Sequence, residues 1–205
     1  MDFRFRGNDT YMNLFIATKN TGKIEEIKFC LKNLNVEVKS FLDYPDIPDI
    51  EETGKSFEEN AWLKARAVYD VVKISVIADD SGLEVDYLNG EPGVYSSRYA
   101  GDDATDDDNC TKLLNELEGL TLQDRKAKFV CVIVYYDGVI KKEFDGICSG
   151  QIVNEKRGSG GFGYDPLFVP DGYSQTFAEL EPEIKNKISH RGKALIKFTE
   201  YLKTL

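Results

Sequence analysis

The sequence predicts an α/β fold built on a mixed β-sheet. Two observations carry that reading. Short apolar runs of strand character are interleaved with segments of helical periodicity, the pattern of parallel strands joined by helices. One strong hairpin signal, Asp137-Gly138 between two alternating runs, then breaks the interleaving and requires antiparallel pairing as well.

The elements follow in order. Residues 14–17 read as a short buried strand, broken by the polar stretch 18–22. Ile24, Ile27, Leu31 and Leu34 then recur at helical spacing. Residues 36–41 alternate like a strand, and 43–49 hold two prolines and read as loop. Ser56 and Glu59 form a capping-box pattern, with Ser56 as N-cap and Glu59 reaching back. The helix they open runs through Ala61, Ala65, Val68 and Val72. Residues 74–78 form a buried strand expected to end at Asp79-Asp80-Ser81-Gly82, with another strand over 83–88 closed by Asn89-Gly90. Thr105 starts a helix whose early aspartates suit the positive helix N-terminus, and Gly119 ends it. Residues 128–136 and 139–147 make the hairpin, 158–166 a glycine-rich loop, and 183–188 a short helix. Ser189 caps a last helix that buries Leu195, Phe198 and Leu202.

Composition narrows the function classes. The chain has 205 residues, 41% hydrophobic, and a formal net charge of -10. So acidic a surface repels a nucleic-acid backbone, while a cleft holding a cation and a few lysines still admits a small polyanion. No apolar run approaches the roughly 20 residues that span a membrane. Cys30, Cys110, Cys131 and Cys148 form no C-x-x-C pair and read as small buried hydrophobes in a reducing compartment. Residues 1–12 read as a disordered extension, or residues 1–11 lie upstream of a true start at Met12, with one domain over 13–205.

Four segments could carry chemistry. Thr18-Lys19-Asn20-Thr21-Gly22-Lys23 joins a strand to a helix, so backbone N–H groups and two lysines can face an anion. It is not a Walker A loop, since Ala17 and Ile24 stand where that motif needs Gly and Ser or Thr. A solvated polar loop is the plainer alternative. At Asp79-Asp80-Ser81-Gly82, two adjacent carboxylates on a buried strand need a cation or donors. Side chains alternate along a strand, so one Asp enters the site directly. Oxygen ligands suit Mg²⁺; an Asx-capped turn is the alternative. Glu51-Glu52 is a second acidic loop, weak alone. The loop 158–166 fits G-x-G-x-x-G in its first six residues, but strand-like sequence follows it rather than a helix, which excludes a dinucleotide fingerprint. Its Phe162 or Tyr164 could stack on a base, or simply fill the core. Lys185, the sole histidine His190, and Arg191 offer donors near a helix start, where a lone histidine is otherwise structural.

Taken together, these segments resemble the inosine triphosphate pyrophosphatase family. The resemblance rests on Ala17 through Lys23, Glu52-Thr53-Gly54, Phe57 through Ala61, Lys64-Ala65-Arg66, Ala78 through Leu83, Pro92 through Gly101, Gly161 through Pro166, and Ser189 through Gly192. It implies an elongated mixed sheet with flanking helices, two lobes around a cleft, and a cytoplasmic homodimer. It also implies Mg²⁺-dependent hydrolysis of ITP, dITP and XTP to monophosphate and pyrophosphate. By motif, Thr18, Lys19, Asn20, Thr21, Gly22 and Lys23 match the triphosphate segment, with Lys19 standing where many members have Gly. Asp80 matches a metal ligand and proton acceptor, Glu52 a second metal ligand, and Ser81 a substrate contact. Phe162, Gly163, Tyr164 and Asp165 match the base-binding loop, and Lys185, His190 and Arg191 the last substrate contacts. Two rival readings stay open: a phosphohydrolase forming a phospho-aspartate, and a non-catalytic nucleotide-binding protein.

Overall fold

The computed structural model describes residues 11–45, 47–48 and 50–205. The expected extension lies outside these residues, apart from Tyr11 and Met12. Six strands form one sheet in the order β2-β1-β3-β4-β5-β6. They are β1 (Met12–Ile16), β2 (Val36–Lys39), β3 (Ser75–Val85), β4 (Lys126–Tyr136), β5 (Lys141–Ile152) and β6 (Phe168–Pro170). β2 and β3 both run parallel to β1, and from β3 through β6 every pairing is antiparallel. The sheet is therefore mixed, as the interleaved helices and the single hairpin require.

Strand alternation sorts the core onto two faces. Leu14, Ile16 and Ile77 point toward α1 (Thr21–Leu31) and α5 (His190–Leu202), where they meet Ile27, Leu31, Leu195 and Phe198. Phe15, Ala17, Val76 and Ala78 point the other way, onto Ala61, Ala65, Val68 and Val72 of α2 (Phe57–Val72). A third cluster sits at the far end of β3. There Leu83 and Val85 pack with α3 (Asp106–Glu116) and with Tyr164, Phe168 and Phe177. The short α4 (Pro182–Ile188) leads directly into α5, and Ser189 caps α5 by accepting from the Gly192 N–H at 3.0 Å. All four cysteines are free thiols; Cys110, Cys131 and Cys148 are buried and Cys30 is half-buried. Burial pushes the Cys131 thiol up to about 12 and the Cys148 thiol to about 11.

Five local expectations are corrected. β3 does not stop at Asp79: it continues through Gly82 to Val85, paired residue for residue with β4. The sequence Asp-Asp-Ser-Gly looks like a turn, but the long β4 partner keeps it extended. Gly82 serves a different end, because an added Cβ there would meet Ser96 Oγ at 2.5 Å and the Gly93 carbonyl closer still. It lets the 3-10 turn Gly93–Arg98 dock on the strand, and Ser96 Oγ accepts the Leu83 N–H at 2.9 Å. The hairpin connection is four residues, since Tyr136 pairs with Lys141; Asp137 Oδ1 accepts from both Val139 and Ile140 N–H. Glu59 reaches back to the Lys55 N–H at 2.6 Å rather than to Ser56, so the reciprocal capping box belongs to Thr105 and Asp108 instead. Finally, β2 ends at Lys39 and Leu202 is only partly buried.

Gly146 on β5 sets the distance of α5 from the sheet. A Cβ there would run into the His190 carbonyl and come within 2.7 Å of the Ala194 N–H nitrogen. Backbone cannot swing aside as a side chain can. Gly146→Ala should therefore lower the unfolding free energy by about 1–3 kcal/mol in a urea titration, the usual cost of overpacking. An unchanged midpoint would contradict this packing.

Candidate active site

The site begins with the pairing of β1 and β3. The Ala17 N–H donates to the Ile77 carbonyl at 2.8 Å, so the turn leaving β1 lies beside residues 78–80 of β3. That turn is folded by its own side chains. Thr18 Oγ1 accepts from the Asn20 N–H at 3.2 Å, and Asn20 Oδ1 caps α1 by accepting from the Lys23 N–H at 3.0 Å. The first-turn amides of α1 thereby open beside the strand carrying the two aspartates.

Asp79 and Asp80 point to opposite faces of β3, and each finds its own cations. On the α1/α5 face, Asp79 Oδ2 pairs with Lys23 Nζ and with Arg191 Nε, each at 3.1 Å. Burial alone would raise the Asp79 carboxyl; the charges of Lys23, Arg191 and Lys64 hold it well below the usual carboxylate range. On the α2 face, Asp80 Oδ1 accepts from Lys64 Nζ at 3.2 Å and Oδ2 from Asn60 Nδ2 at 3.1 Å. Burial, with the Glu52 charge beside it, lifts the Asp80 carboxyl above its ordinary value in spite of Lys64. Lys64 Nζ also donates to Glu52 Oε1 at 2.9 Å, so the two carboxylates expected to hold a metal converge on one ammonium.

The loop 158–166 approaches from the other side. The Phe162 ring lies against Gly22 at the start of α1, where an added Cβ would sit 2.5 Å from the ring. Lys185 Nζ and the Arg191 guanidinium stand 4.9 and 5.5 Å from the centre of that ring. Asp165 is buried beneath the loop, accepts the Phe162 N–H at 2.9 Å, and pairs with Lys185 at 2.6 Å. Glu26 joins the two cations, through Oε1 to Lys185 at 2.9 Å and Oε2 to Arg191 at 2.6 Å. Tyr164 points into the core and donates to the Ser96 carbonyl at 2.9 Å. His190 is buried and stacks on Phe129 at 4.6 Å.

One cavity of about 440 Å³ joins these parts, a size suited to a small organic ligand. Thr18, Lys19, Asn20 and Lys23 line it, as do Glu52, Asp80 and Ser81. Phe162, Gly163, Tyr164, Asp165, Lys185, His190 and Arg191 complete the wall. Of the residues matched to site roles by motif, only Thr21 and Gly22 stand off the lining, where they form the first turn of α1. Glu26, Asn60, Lys64 and Asp106 bond directly to the site although the sequence assigns them no role; Asn60 and Lys64 do fall within stretches that carry the family resemblance. Asn60 and Lys64 were the most readable, as two polar residues one turn apart beside the apolar stripe of α2, both buried. Glu26 and Asp106 look like ordinary solvated helix charges in one dimension.

The donor set fits Mg²⁺. Among the described residues no group of three or more acidic, histidine or cysteine side chains gathers at one point. Mg²⁺ commonly takes one or two carboxylates and completes its shell with water and substrate phosphate oxygens. Glu52 and Asp80 supply that pair of hard oxygens, already aimed at a common positive charge.

Comparison with known proteins identifies the family of the chain. The Ham1 family profile matches residues 14–201. A dITP/XTP pyrophosphatase of Geobacillus kaustophilus is 51% identical over 188 residues, covering 91% of this chain and 92% of that protein. One from Desulfotalea psychrophila is 50% identical over 183 residues, or 89% and 81% of the two chains. Among solved structures, a HAM1 protein from Coxiella burnetii superposes with a TM-score of 0.86 at 40% identity, covering 95% of this chain and all 100% of that one. The Staphylococcus aureus Ham1 protein gives 0.83 at 45% identity, covering 94% and 98%.

The sole histidine gives the site a pH signature. Burial, together with the Arg191 and Lys185 charges, holds His190 well below its ordinary value. Its Nδ1 has no hydrogen-bond partner among the described residues. Below about pH 6.5 the unfolded chain takes up a proton that the folded chain refuses, so stability falls as pH drops. Urea titrations between pH 7.5 and 5.5 should show wild type losing up to about 1.4 kcal/mol per pH unit more than His190→Gln below pH 6.5. Parallel curves for the two proteins would place a charged imidazole in the fold.

Proposed function

The chain belongs to the Ham1 family, and on that premise we propose that it hydrolyses non-standard purine nucleoside triphosphates (dITP, XTP and ITP) to the monophosphate and pyrophosphate. The observation that carries the reading is the meeting of Glu52 and Asp80 at one cation point beside the α1 turn, inside a single cavity. A polyphosphate and a divalent ion need those two features within reach of each other.

In this reading the triphosphate lies along Thr18, Lys19, Asn20 and Lys23, at the positive N-terminus of α1 whose first turn Thr21 and Gly22 build. Glu52 and Asp80 would hold Mg²⁺, which would supply neutralisation of the phosphate charge and orientation of the triphosphate. A water attacks a phosphorus of the α–β anhydride. The new P–O bond forms as the bridging P–O bond breaks and pyrophosphate leaves, with Asp80 as the carboxylate that takes the water's proton. Lys64 keeps Asp80 ionised before the step, while Lys23 and Lys185 add positive charge around the substrate. Ser81 contacts the substrate, and Arg191 holds the Ser81 hydroxyl at 2.8 Å.

Phe162 stacks on the base. Gly163, Tyr164 and Asp165 shape the loop beside it, and neutral His190 with Arg191 supplies donors to the purine edge. A slot built to bond a 6-oxo group leaves buried groups unpaired against a 6-amino purine, and such a mismatch discriminates strongly. A phospho-aspartate route fits less well, because Asp79 is locked between Lys23 and Arg191 and Asp80 between Lys64 and Asn60. Family resemblance supports assembly as a homodimer, and four free thiols agree with a cytoplasmic setting. No helix among the described residues is long and apolar enough to cross a membrane.

Pyrophosphate release across a nucleotide panel, with and without Mg²⁺, tests the reading. dITP, XTP and ITP should turn over at least about 100-fold faster than ATP, and only with the metal. Asp80→Asn should lower kcat by at least about 100-fold while the thermal midpoint stays within a few degrees of wild type. Equal rates on ATP and ITP, or near-normal turnover by Asp80→Asn, would overturn it.

A further inference from the structure

Asp106 belongs to no motif discussed above, yet it is the bond by which α3 reaches the aromatic loop. Its Oδ2 accepts the Gly163 N–H at 2.7 Å. One turn along α3, Cys110 Sγ donates to the Gly163 carbonyl at 3.4 Å, so the same helix grips both polar groups of one residue. Asp107, next to Asp106, pairs with Lys156 on the near flank of the loop. Gly163 has φ +58°, a left-handed conformation that glycine adopts without strain, and this aims its N–H at the carboxylate. Asp106 itself lines the cavity.

The consequence concerns Phe162, the neighbour of Gly163. Its ring lies against Gly22 on α1. The loop is thus fixed to α3 through the Gly163 backbone and to α1 through the Phe162 ring, over the buried Asp165 that accepts the Phe162 N–H from within. Glycines at 158, 160, 161 and 163 leave it little stiffness of its own. A charge-assisted bond to one backbone N–H is then a large share of what selects a single loop pose. We infer that Asp106 is a positioning residue that sets the pose of the base-stacking loop, and so governs affinity for the purine while leaving phosphate binding and the chemical step alone. The inference rests on Phe162 being the stacking ring, as in the function proposed above.

The test compares wild type, Asp106→Ala and Asp106→Asn. Asparagine keeps a side-chain carbonyl able to accept the Gly163 bond; alanine does not. Inosine monophosphate and inorganic pyrophosphate serve as competitive inhibitors of dITP hydrolysis, and hydrogen exchange of the 158–166 amides is followed in each protein. Asp106→Ala should raise KM for dITP and Ki for inosine monophosphate about five- to tenfold, with kcat and the pyrophosphate Ki within about twofold of wild type. The loop amides should exchange faster, and Asp106→Asn should restore all three readings to within about threefold. An unchanged inosine monophosphate Ki in Asp106→Ala, equal weakening of both inhibitors, or failure of Asp106→Asn to rescue would overturn the inference. Absence of hydrolysis by wild type would instead strike the proposed function, and loop exchange would then decide the clamp by itself: unchanged exchange in Asp106→Ala rejects it.

Discussion

Two carboxylates on consecutive residues of a buried strand are the constraint from which the rest of the site follows. Strand geometry sends Asp79 and Asp80 to opposite faces, so one cation cannot serve both. Each face must bring its own positive charge out of an adjacent helix. Lys23 of α1 and Arg191 of α5 answer Asp79, and Lys64 of α2 answers Asp80. Removing one partner of such a buried pair commonly costs about 3–5 kcal/mol, because the charge left behind has no water to turn to. The fold therefore has little freedom in where α1, α2 and α5 lie relative to β3.

The two faces differ in what they leave available. Asp79 has lost its basicity to the cations around it, and its role is to hold Lys23 and Arg191 in place. Asp80 has gained basicity from burial and shares its lysine with Glu52. From Arg191 the ionic chain continues through Glu26 to Lys185 and Asp165, ending under the Phe162 N–H. The turn after β1 and the loop 158–166 are thus joined by consecutive charged contacts rather than by packing alone. Deep ionic networks are seldom a route to greater stability, and a geometric role suits this one better.

Much of this was legible in one dimension. Periodicity located β1, α1, α2, the hairpin and α5, and short-range capping chemistry marked Ser56, Thr105 and Ser189 because those bonds span only three residues. Asp-Asp-Ser-Gly misled, since turn propensity is local whereas the extended form is imposed by eleven-residue β4. The same limit hid Lys64, Glu26 and Asp106. Lys64 meets Asp80 sixteen residues away, Glu26 meets Arg191 at a separation of 165, and Asp106 meets Gly163 at 57. A charged residue on a helix carries no mark of whether it faces solvent or a distant carboxylate. Motif likeness recovered the aromatic loop and the Ser-His-Arg segment as parts of a site, and the fold explains how they reach it.

Direct binding of a divalent ion bears hardest on the claim that Glu52 and Asp80 form one cation point in front of the polyphosphate turn. Electron paramagnetic resonance of Mn²⁺ can be recorded with a non-hydrolysable imido analogue of inosine triphosphate, in wild type and in Glu52→Gln. The account predicts a protein-bound signal in wild type and affinity at least about tenfold weaker in the variant, the expected order for losing one of two charged oxygen ligands. Equal Mn²⁺ affinity in the two proteins would contradict it.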